Sequence, residues 1–385
     1  MNSAGEDIAR GVYVVADNIL SPLGKTTAAN FAALKAGRTA VIQRSDPALS
    51  ARPFFAALFD GDETFLADSD NRYTRFERML VASVADALQI SGIDAENSRT
   101  VLIVSSTKGN IGLLDTEVSS PELNARIALP ASAKLVAAHF GFVNAPVVIS
   151  NACISGVLAL ITAMRLLKSG QYDHAVVTGA DEVSRFVLSG FQSFQALSDA
   201  VCKPFDSGRN GLNLGEGAAT VILSTNSKYK DNLQVLGGSV SNDANHISGP
   251  SRTGEELGQA IKDALANAGK RPADIGFISA HGTATPYNDE MEASAITFAG
   301  LQNTPINSLK GYYGHTLGAA GLIESVISIQ EAVQGLLIAT PGYEHNGVTH
   351  EMKVSPTQTM IKTNTFLKTA SGFGGCNAAM VIGKK

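Results

Sequence analysis

The sequence predicts an α/β protein of 385 residues built from two fused, duplicated halves, residues 1–230 and 231–385. Segments rich in β-branched residues alternate with apolar segments of helical period, which favours parallel sheets covered by helices. The length exceeds that of one ordinary hydrophobic core. The order strand, loop, helix occurs around both Cys153 and His315, and Gly156-Val-Leu faintly resembles Gly321-Leu-Ile. Such a repeat predicts a duplication in which the two loops face each other.

In the first half, four strands and four helices are predicted. The β-branched run at 12–15 is followed by Ser21-Pro-Leu-Gly24, a turn that leads into a helix. Phe76, Leu80, Val84 and Leu88 recur every four residues, the spacing of a helix with one buried face. The predicted strands cover 12–15, 101–104, 147–149 and 174–178, and the predicted helices cover 26–35, 73–88, 131–139 and 154–167.

The second half repeats this alternation after residue 232. Glycine-containing loops separate its apolar segments, including His281-Gly-Thr and the loop that precedes the last long helix. Strands are predicted at 234–239, 275–279, 306–308 and 378–382, with helices at 255–268 and 316–333.

The composition is typical of a compact enzyme: 44% hydrophobic, 17% charged and 37 glycines. The net charge of −5 without a long basic block argues against nucleic-acid binding. Three widely spaced cysteines without a CxxC pattern do not predict a disulfide framework. No apolar run has the length of a membrane span, and the first residues lack the features of a signal peptide, so we expect a cytoplasmic protein.

Cys153 follows a short predicted strand, 147–149, and the helix-capping pair Ser150-Asn151. It is therefore expected in the first turn of a buried helix, where unpaired amides and the helix dipole favour the thiolate. A buried cysteine is more often a small apolar residue. The segment by itself leaves both interpretations open.

Two of the seven histidines also follow predicted strands. His281 lies directly after the strand at 275–279, and His315 lies between a strand and a helix. Active sites of open α/β sheets gather at the carboxyl ends of strands, so Cys153, His281 and His315 could meet there. The alternative is that each is a turn residue with a local hydrogen bond.

Other features concern charge and loop shape. Glu324 interrupts an apolar helix face and needs a partner if it is buried, for which Lys310 or a bound cation are the candidates. Gly372-Phe-Gly-Gly375 is typical of a loop that moves a bulky ring or of a tight turn. Phosphate-loop, HExxH and GxSxG patterns are absent from the sequence, and no metal site is predicted.

Taken in order, the motifs of nearly the whole chain resemble those of the β-ketoacyl-acyl carrier protein synthases, condensing enzymes of the thiolase superfamily. The resemblance implies a thiolase-like, five-layered α-β-α-β-α fold. The histidine in Gly314-His315-Thr resembles that of the elongating Cys-His-His type. The motifs are Leu20-Ser-Pro-Leu-Gly24, Asn151-Ala-Cys153, Cys202-Lys-Pro-Phe-Asp-Ser-Gly-Arg-Asn-Gly211, Ser241-Asn-Asp-Ala-Asn-His246, His281-Gly-Thr-Ala-Thr285, Lys310-x-x-x-Gly-His315 and Gly372-Phe-Gly-Gly-Cys-Asn377.

The resemblance implies a decarboxylative Claisen condensation. Cys153 would hold an acyl group as a thioester, and His281 and His315 would stabilise the enolate of a malonyl-carrier thioester. The amides of Cys153 and Phe373 would form the oxyanion hole, while Lys310 and Glu324 would support the histidines. Cys376 matches a variable position and would be non-catalytic.

Further residues are implied to contact substrate. Thr283 and Thr285 match positions that bond the pantetheine arm, and Asp243 and His246 match a loop that moves with Phe373 and Gly374. Ile154, next to the nucleophile, would shape the acyl pocket. No redox or metal cofactor is implied; the substrate carries phosphopantetheine, and a monovalent cation near Glu324 is compatible with the resemblance.

The implied partners are an acyl carrier protein and a second condensing subunit, in a homodimer or a heterodimer. Arg72, Arg75 and Arg78 could contact the acidic carrier or form a solvated face. Fatty-acid elongation and polyketide or polyene synthesis both fit. The alternatives are a non-catalytic subunit of the chain-length-factor type, a nucleotide-binding dehydrogenase, disfavoured by the missing glycine fingerprint, and a cysteine hydrolase, disfavoured by the second histidine.

Overall fold

The computed structural model describes residues 10–61, 72–244, 249–361 and 364–385. The strands are β1 Tyr13–Leu20, β2 Ile42–Arg44, β3 Phe54–Ala57, β4 Thr100–Ser105, β5 Val147–Ile149, β6 His174–Asp181, β7 Leu214–Gly215, β8 Gly217–Ser224, β9 Gln234–Asn242, β10 Phe277–Ser279, β11 Ile306–Asn307, β12 Leu336–Leu337, β13 Thr359–Met360, β14 Phe366–Gly372 and β15 Cys376–Gly383. The helices are α1 Thr27–Lys35, α2 Arg75–Ser91, α3 Pro121–Ile127, α4 Leu129–His139, α5 Ser155–Lys168, α6 Arg185–Ser193, α7 Glu255–Ala268, α8 Pro286–Phe298, α9 Lys310–Tyr313 and α10 Ala320–Gln334.

The main sheet shows the duplication directly. Its strand order is β11-β10-β14-β15-β9-β1-β8-β6-β4-β5. Outward from the centre, the strands of the first half follow the order β1, β8, β6, β4, β5, and those of the second half follow the order β9, β15, β14, β10, β11. Numbered along the chain within each half, both orders are first, fifth, fourth, second and third. In both halves the first two of these contacts are antiparallel and the last two are parallel. The predicted fused duplication is therefore confirmed by topology, although the letters of the sequence show it only faintly.

The two halves join where β1 meets β9. Tyr13 pairs with Gln234, and the amide of Val14 donates to the carbonyl of Leu233 at 2.8 Å. This short junction makes a single ten-stranded sheet in hydrogen-bonding terms. The halves otherwise form separate layers, because helices lie between them.

Five layers result from the way the helices pack. α5 contacts β4 and β6 of one half and β9 and β15 of the other, and α10 likewise contacts β8 and β14. α2 covers the outer face of β1, β8 and β6, while α7 covers the outer face of β9 and β15. The order α-β-α-β-α matches the fold that the resemblance implied. α5 and α10 carry the loops of Cys153 and His315 into the centre.

Two glycines allow α5 and α10 to pack backbone against backbone. A Cβ added to Gly156 would lie 2.7 Å from the amide nitrogen of Leu322, and one added to Gly321 would lie 2.6 Å from that of Val157. Side chains at either position would force the helices apart. These are the glycines whose surroundings in the sequence suggested the repeat.

Most predicted elements are present, with shifted ends. Among those that the sequence analysis missed are β8, α6, α8 and β14. β8 begins Gly217-Ala-Ala, residues with low strand propensity, and it forms because both of its faces are buried. α8 begins at Pro286, which is suited to a first helical position.

Arg75, one of the three arginines offered for a carrier contact, pairs with two carboxylates of its own chain. Its guanidinium lies 3.1 Å from Glu182 and 2.5 Å from Glu216. Burial raises the pKa of Glu216 to about 7, although Arg75 opposes that shift. Arg75 is therefore engaged with carboxylates of its own chain, and contact of Arg72, Arg75 and Arg78 with a carrier protein stays a prediction. No helix in the described ranges is both long and apolar enough to cross a membrane.

Candidate active site

A cavity of about 490 Å³ brings Cys153, His281 and His315 together. The thiol comes from the first half and both imidazoles come from the second. Three phenylalanines form part of the wall, and the pocket is open at one side to solvent. Its lining includes Cys153, Phe191, Phe194, Asp243, His281, Thr283, Thr285, His315, Phe373 and Gly375. The convergence of strand ends that the sequence predicted is present.

Cys153 is held in a sharp turn before α5. Ala152 has φ +43°, a left-handed conformation that is uncommon for alanine. The Ser155 hydroxyl donates to the Ala152 carbonyl at 2.6 Å and accepts from the Asn151 amide at 2.8 Å. These bonds fix the turn that presents the thiol just ahead of the helix.

Burial of the sulfur disfavours the thiolate form of Cys153 and raises its pKa to about 12. Nearby Cys376 adds to this increase in pKa, whereas Lys310 and the amide of Phe373 oppose it. From the sequence, the helix start was expected to favour the thiolate. That expectation is wrong for this structure, because desolvation of the buried sulfur outweighs the favourable dipole and amide.

His281 is placed by a carboxylate behind its main chain. The amides of His281 and Gly282 donate to the two oxygens of Glu292, at 2.8 and 2.7 Å. The Lys310 ammonium lies 3.4 Å from His281 Nδ1. An ammonium can only donate, so Nδ1 accepts, and the proton of the neutral ring lies on Nε2.

His315 lies beside His281, with ring centroids 5.3 Å apart and planes at 82°. Within the described residues, neither ring nitrogen of His315 has a hydrogen-bond partner. Burial and the nearby Lys310 lower the pKa of both histidines well below the ordinary value. Two neutral imidazoles therefore face the cavity, and each can donate one N–H to a substrate oxygen.

The main chain at His315 is set by two close contacts. Its amide donates to the carbonyl of Asn213 at 2.6 Å, and its carbonyl accepts from Gly215 at 3.1 Å. Gly314 has φ +65°, and a Cβ there would lie 2.4 Å from the carbonyl oxygen of Leu214. Only glycine fits at this position, so the Gly-His motif has a steric cause.

Glu324 is buried and paired with two lysines. Lys310 Nζ lies 2.6 Å from one carboxylate oxygen, and Lys368 Nζ lies 2.7 Å from the other. Burial alone would raise the pKa of Glu324, but the two ammonium groups hold it below the ordinary value. Lys310, one of the two partners that the sequence suggested, is present; Lys368 was missed.

The Gly-Phe-Gly-Gly segment is the turn between β14 and β15. Phe373 stacks on Phe191 with centroids 5.7 Å apart and meets Phe194 edge-on at 5.3 Å. The Asp243 amide donates to the carbonyl of Gly375 at 2.7 Å, so the Asp243 segment is bonded to the turn. His246, predicted to act with Asp243, lies outside the described residues.

The other predicted substrate contacts divide into two groups. Thr283 and Thr285 line the cavity and share a hydrogen bond of 2.8 Å between their hydroxyls. Ile154 is 1% exposed and packs in the largest hydrophobic cluster, and it is not part of the cavity lining in the described chain. Gly374 also lies outside that lining, although its neighbours Phe373 and Gly375 belong to it. Contact of Ile154 and Gly374 with substrate stays a prediction.

Cys376 does not form part of the same wall. Its sulfur lies 3.4 Å from the carbonyl oxygen of Phe373 and 3.7 Å from that of Asn151, and its single S–H can donate to either. Burial raises its pKa to about 11. The sulfur is occupied with the turn that holds Phe373, which suits the predicted non-catalytic role.

Two supporting residues were not predicted from the sequence: Glu292, whose carboxylate holds the His281 main chain, and Lys368, the second lysine on Glu324. Glu292 lies on α8, and its side chain is fully buried, as is that of Asp289 on the same helix. The sequence did contain a signal for Glu292, namely its position on the second turn of α8. Side chains of a helix lean toward its N-terminus, so a carboxylate at that position can reach the loop of His281 that precedes the helix. Lys368 offered a comparable signal, since it is the one charged residue of β14.

A thiolase-like fold that closes a cysteine and two histidines in one cavity defines a class of condensing acyltransferases. The comparison structure titled "The ishigamide ketosynthase/chain length factor" superimposes with a TM-score of 0.89, at 25% identity over 98% of this chain and 100% of that one. A ketosynthase in complex with its chain length factor from Xenorhabdus doucetiae gives 0.87, at 26% identity over the whole of both chains.

The chain belongs to the β-ketoacyl synthase family. The family model for the N-terminal domain of β-ketoacyl synthases matches residues 9–229, and the model for the C-terminal domain of β-ketoacyl synthases matches residues 233–344. A 3-oxoacyl-[acyl-carrier-protein] synthase 2 of Coxiella burnetii is 27% identical, over 97% of this chain and 99% of its own length. The resemblance in the motifs is therefore confirmed across nearly the whole chain, and the protein is an acyltransferase of this family.

Proposed function

We propose that the protein condenses an acyl group held on Cys153 with a malonyl group carried by acyl carrier protein, and releases carbon dioxide and a 3-oxoacyl-carrier thioester. The observation that carries the proposal is the single cavity that holds the thiol and two neutral imidazoles. The relatives named 3-oxoacyl-[acyl-carrier-protein] synthase support the same substrate class.

In the first half-reaction, Cys153 attacks the carbonyl carbon of an acyl-carrier thioester. Either of the two neutral imidazoles can relay the thiol proton, which ends on the departing carrier thiolate, so loss of one histidine leaves the other as the relay. The amides of Cys153 and Phe373 are the proposed donors to the oxyanion of the tetrahedral intermediate. Support comes from the amide of Phe373, which lies near enough to the Cys153 sulfur to oppose the rise of its pKa.

In the second half-reaction, the malonyl C–C bond breaks and its electron pair moves toward the thioester oxygen. His281 Nε2–H and an N–H of His315 are the proposed donors to that enolate oxygen. The enolate carbon then attacks the Cys153 thioester, and the cysteine leaves as a thiolate that takes up a proton. Lys310 acts on His281, since its ammonium fixes which ring nitrogen carries the hydrogen.

The pantetheine arm would enter past Thr283 and Thr285, whose hydroxyls line the cavity. Acyl carrier protein is the proposed partner, together with a second condensing subunit in a homodimer or heterodimer. A chain-length-factor role is less favoured, because Cys153, His281 and His315 are all present in one cavity. We place the protein in the cytoplasm on the basis of the relatives' chemistry, in fatty-acid or polyketide synthesis.

The test separates the two half-reactions. Acyl-carrier thioesters of several chain lengths are mixed with the protein, and adducts are weighed by intact mass; carbon dioxide release from malonyl-carrier thioester is measured separately. Cys153→Ala should lose all loading, whereas Cys202→Ala, a buried thiol outside the cavity lining, should load normally.

The histidine variants should affect the two half-reactions to different extents. His281→Ala and His315→Ala are expected to reduce decarboxylation more than loading, because the enolate forms only in the second step. Undiminished loading of Cys153→Ala, or equal loss of both half-reactions in the histidine variants, would contradict the proposal.

A further inference from the structure

Lys368 is a fully buried lysine whose ammonium is surrounded by fixed oxygen atoms. It lies on β14, and its Nζ is 2.7 Å from a Glu324 oxygen, 3.1 Å from the Ser279 carbonyl oxygen and 3.2 Å from the Ala280 carbonyl oxygen. Its exposed fraction is zero. Burying a long charged side chain so completely is costly without such compensation.

These ligands are the ones that a monovalent cation would take. A carboxylate and two backbone carbonyls are hard oxygen donors, and the sequence analysis had considered a cation near Glu324. The ammonium already occupies the point where the three donors converge. A free cation does not fit there, because it would displace or closely approach a like charge.

The position of Lys368 links it to the reacting histidine. Ser279 and Ala280 directly precede His281, so the Lys368 ammonium, by donating to their carbonyl oxygens, fixes the main chain that leads into His281. Glu324, held at one oxygen by Lys368, holds Lys310 at the other, and Lys310 contacts the His281 ring. Lys368 thus acts on His281 along two routes.

The charges have a second effect. Lys310 and Lys368 place two ammonium groups behind the histidines, beside the carboxylates of Glu324 and Glu292. The ammonium groups help to lower the pKa of both histidines, and they favour a negative charge that develops in the cavity.

We infer that Lys368 is a positioning residue that serves as a covalently attached cation behind His281, so that the enzyme needs no free monovalent ion for decarboxylation. The inference rests on the proposed function, since it concerns the enolate step. It assigns Lys368 to the support of His281 through Glu324 and the end of β10.

The test uses the full-length protein in buffers whose only monovalent cation is tetramethylammonium, sodium, potassium or methylammonium. Wild-type decarboxylation should be equal in all of them. Lys368→Ala should lose about 10- to 100-fold in decarboxylation in tetramethylammonium, as for other supporting residues of this kind. Its Cys153 loading should stay near that of the wild type.

Potassium or methylammonium, which are small enough to enter the space left by the side chain, should restore part of the lost rate in Lys368→Ala. Lys368→Met fills that space with an uncharged chain, so it should show the loss without the rescue. The matched control is Lys168→Ala, which removes another lysine bonded to a backbone carbonyl, that of Leu236, at 2.9 Å. It should behave as wild type.

The outcomes separate this inference from the proposed function. A wild type that neither loads nor decarboxylates sinks the proposed function itself. An active wild type that depends on the cation supplied, or a Lys368→Ala variant with wild-type decarboxylation, overturns the role of Lys368. Equal loss of both half-reactions without rescue, in a variant that keeps the wild-type melting temperature, also overturns it.

Discussion

Replacing Gly156 by alanine is expected to separate α5 from α10 and to weaken both stability and acyl loading. The added methyl would lie 2.7 Å from the Leu322 nitrogen and 3.0 Å from the Gly318 carbonyl oxygen. Both are backbone atoms of the opposite helix region, so no side chain can rotate to make room. Gly156 is three residues from Cys153, and the opposite backbone follows His315.

The expected loss of folding stability in Gly156→Ala follows from these contacts. Overpacking a rigid site costs about 3 kcal/mol, while replacing a helical glycine by alanine returns about 1 kcal/mol. An unfolding entropy of about 2.1 cal/mol/K per residue gives about 0.8 kcal/mol/K for 385 residues. The net loss of about 2 kcal/mol then lowers Tm by about 2–3 °C.

Gly190→Ala in α6 is the matched control, because a Cβ there would have no atom within 4 Å. It should leave Tm unchanged or raise it by about 1 °C, through helix propensity alone. Calorimetry at one scan rate, with intact-mass loading of Cys153, compares the two variants. Equal melting temperatures and equal loading for both alanines would refute the argument from helix contact.

Three further predictions concern titration and buried charge. Alkylation of Cys153 by iodoacetamide should accelerate with pH up to about 10 without a plateau, because burial raises the pKa of its thiol to about 12; a plateau in the rate profile by intact mass would contradict this. The free energy of unfolding in urea should fall as pH drops below about 6.5, since burial holds the pKa of His315 well below its ordinary value and only the unfolded chain binds the proton. His315→Gln should reduce that slope by up to about 1.4 kcal/mol per pH unit, and an unchanged slope would count against a neutral buried ring. Arg126→Met should cost about 3–5 kcal/mol in urea unfolding by leaving the Glu77 carboxylate buried without its cation, and Glu77→Gln added to it should recover much of the loss; a cost below about 1 kcal/mol would refute the argument.

The sequence predicted well wherever local pattern and burial agree. α2 was expected from its fourfold apolar spacing, and it also begins with a capping box in which Thr74 and Glu77 bond each other's main chain. The strand ends that carry Cys153, His281 and His315 were located from β-branched runs and the polar residues after them. These features depend on neighbours along the chain, which the sequence displays.

What the sequence could not display depends on distant contacts. The pKa of Cys153 is set by how completely the fold buries the sulfur, which outweighs the helix start that local pattern suggests. Lys368 and Glu324 are 44 residues apart, and nothing near either one shows that they meet. β8 was missed because its Gly-Ala-Ala start has low strand propensity, which burial on both faces overrides.

The ten-stranded sheet also bears on aggregation. A sheet is open to pairing with other chains only at its two outermost strands, here β11 with two residues and β5 with three. The outer side of β11 is already engaged, since the Ile306 amide donates to the Lys353 carbonyl and the Ser355 amide donates to Ile306. The junction of the halves pairs β1 with β9 at Tyr13 and Gln234 only, so it covers one end of these eight- and nine-residue strands. Of the two outermost strands in the described chain, the three-residue β5 is left as the place where a further strand could add to this sheet.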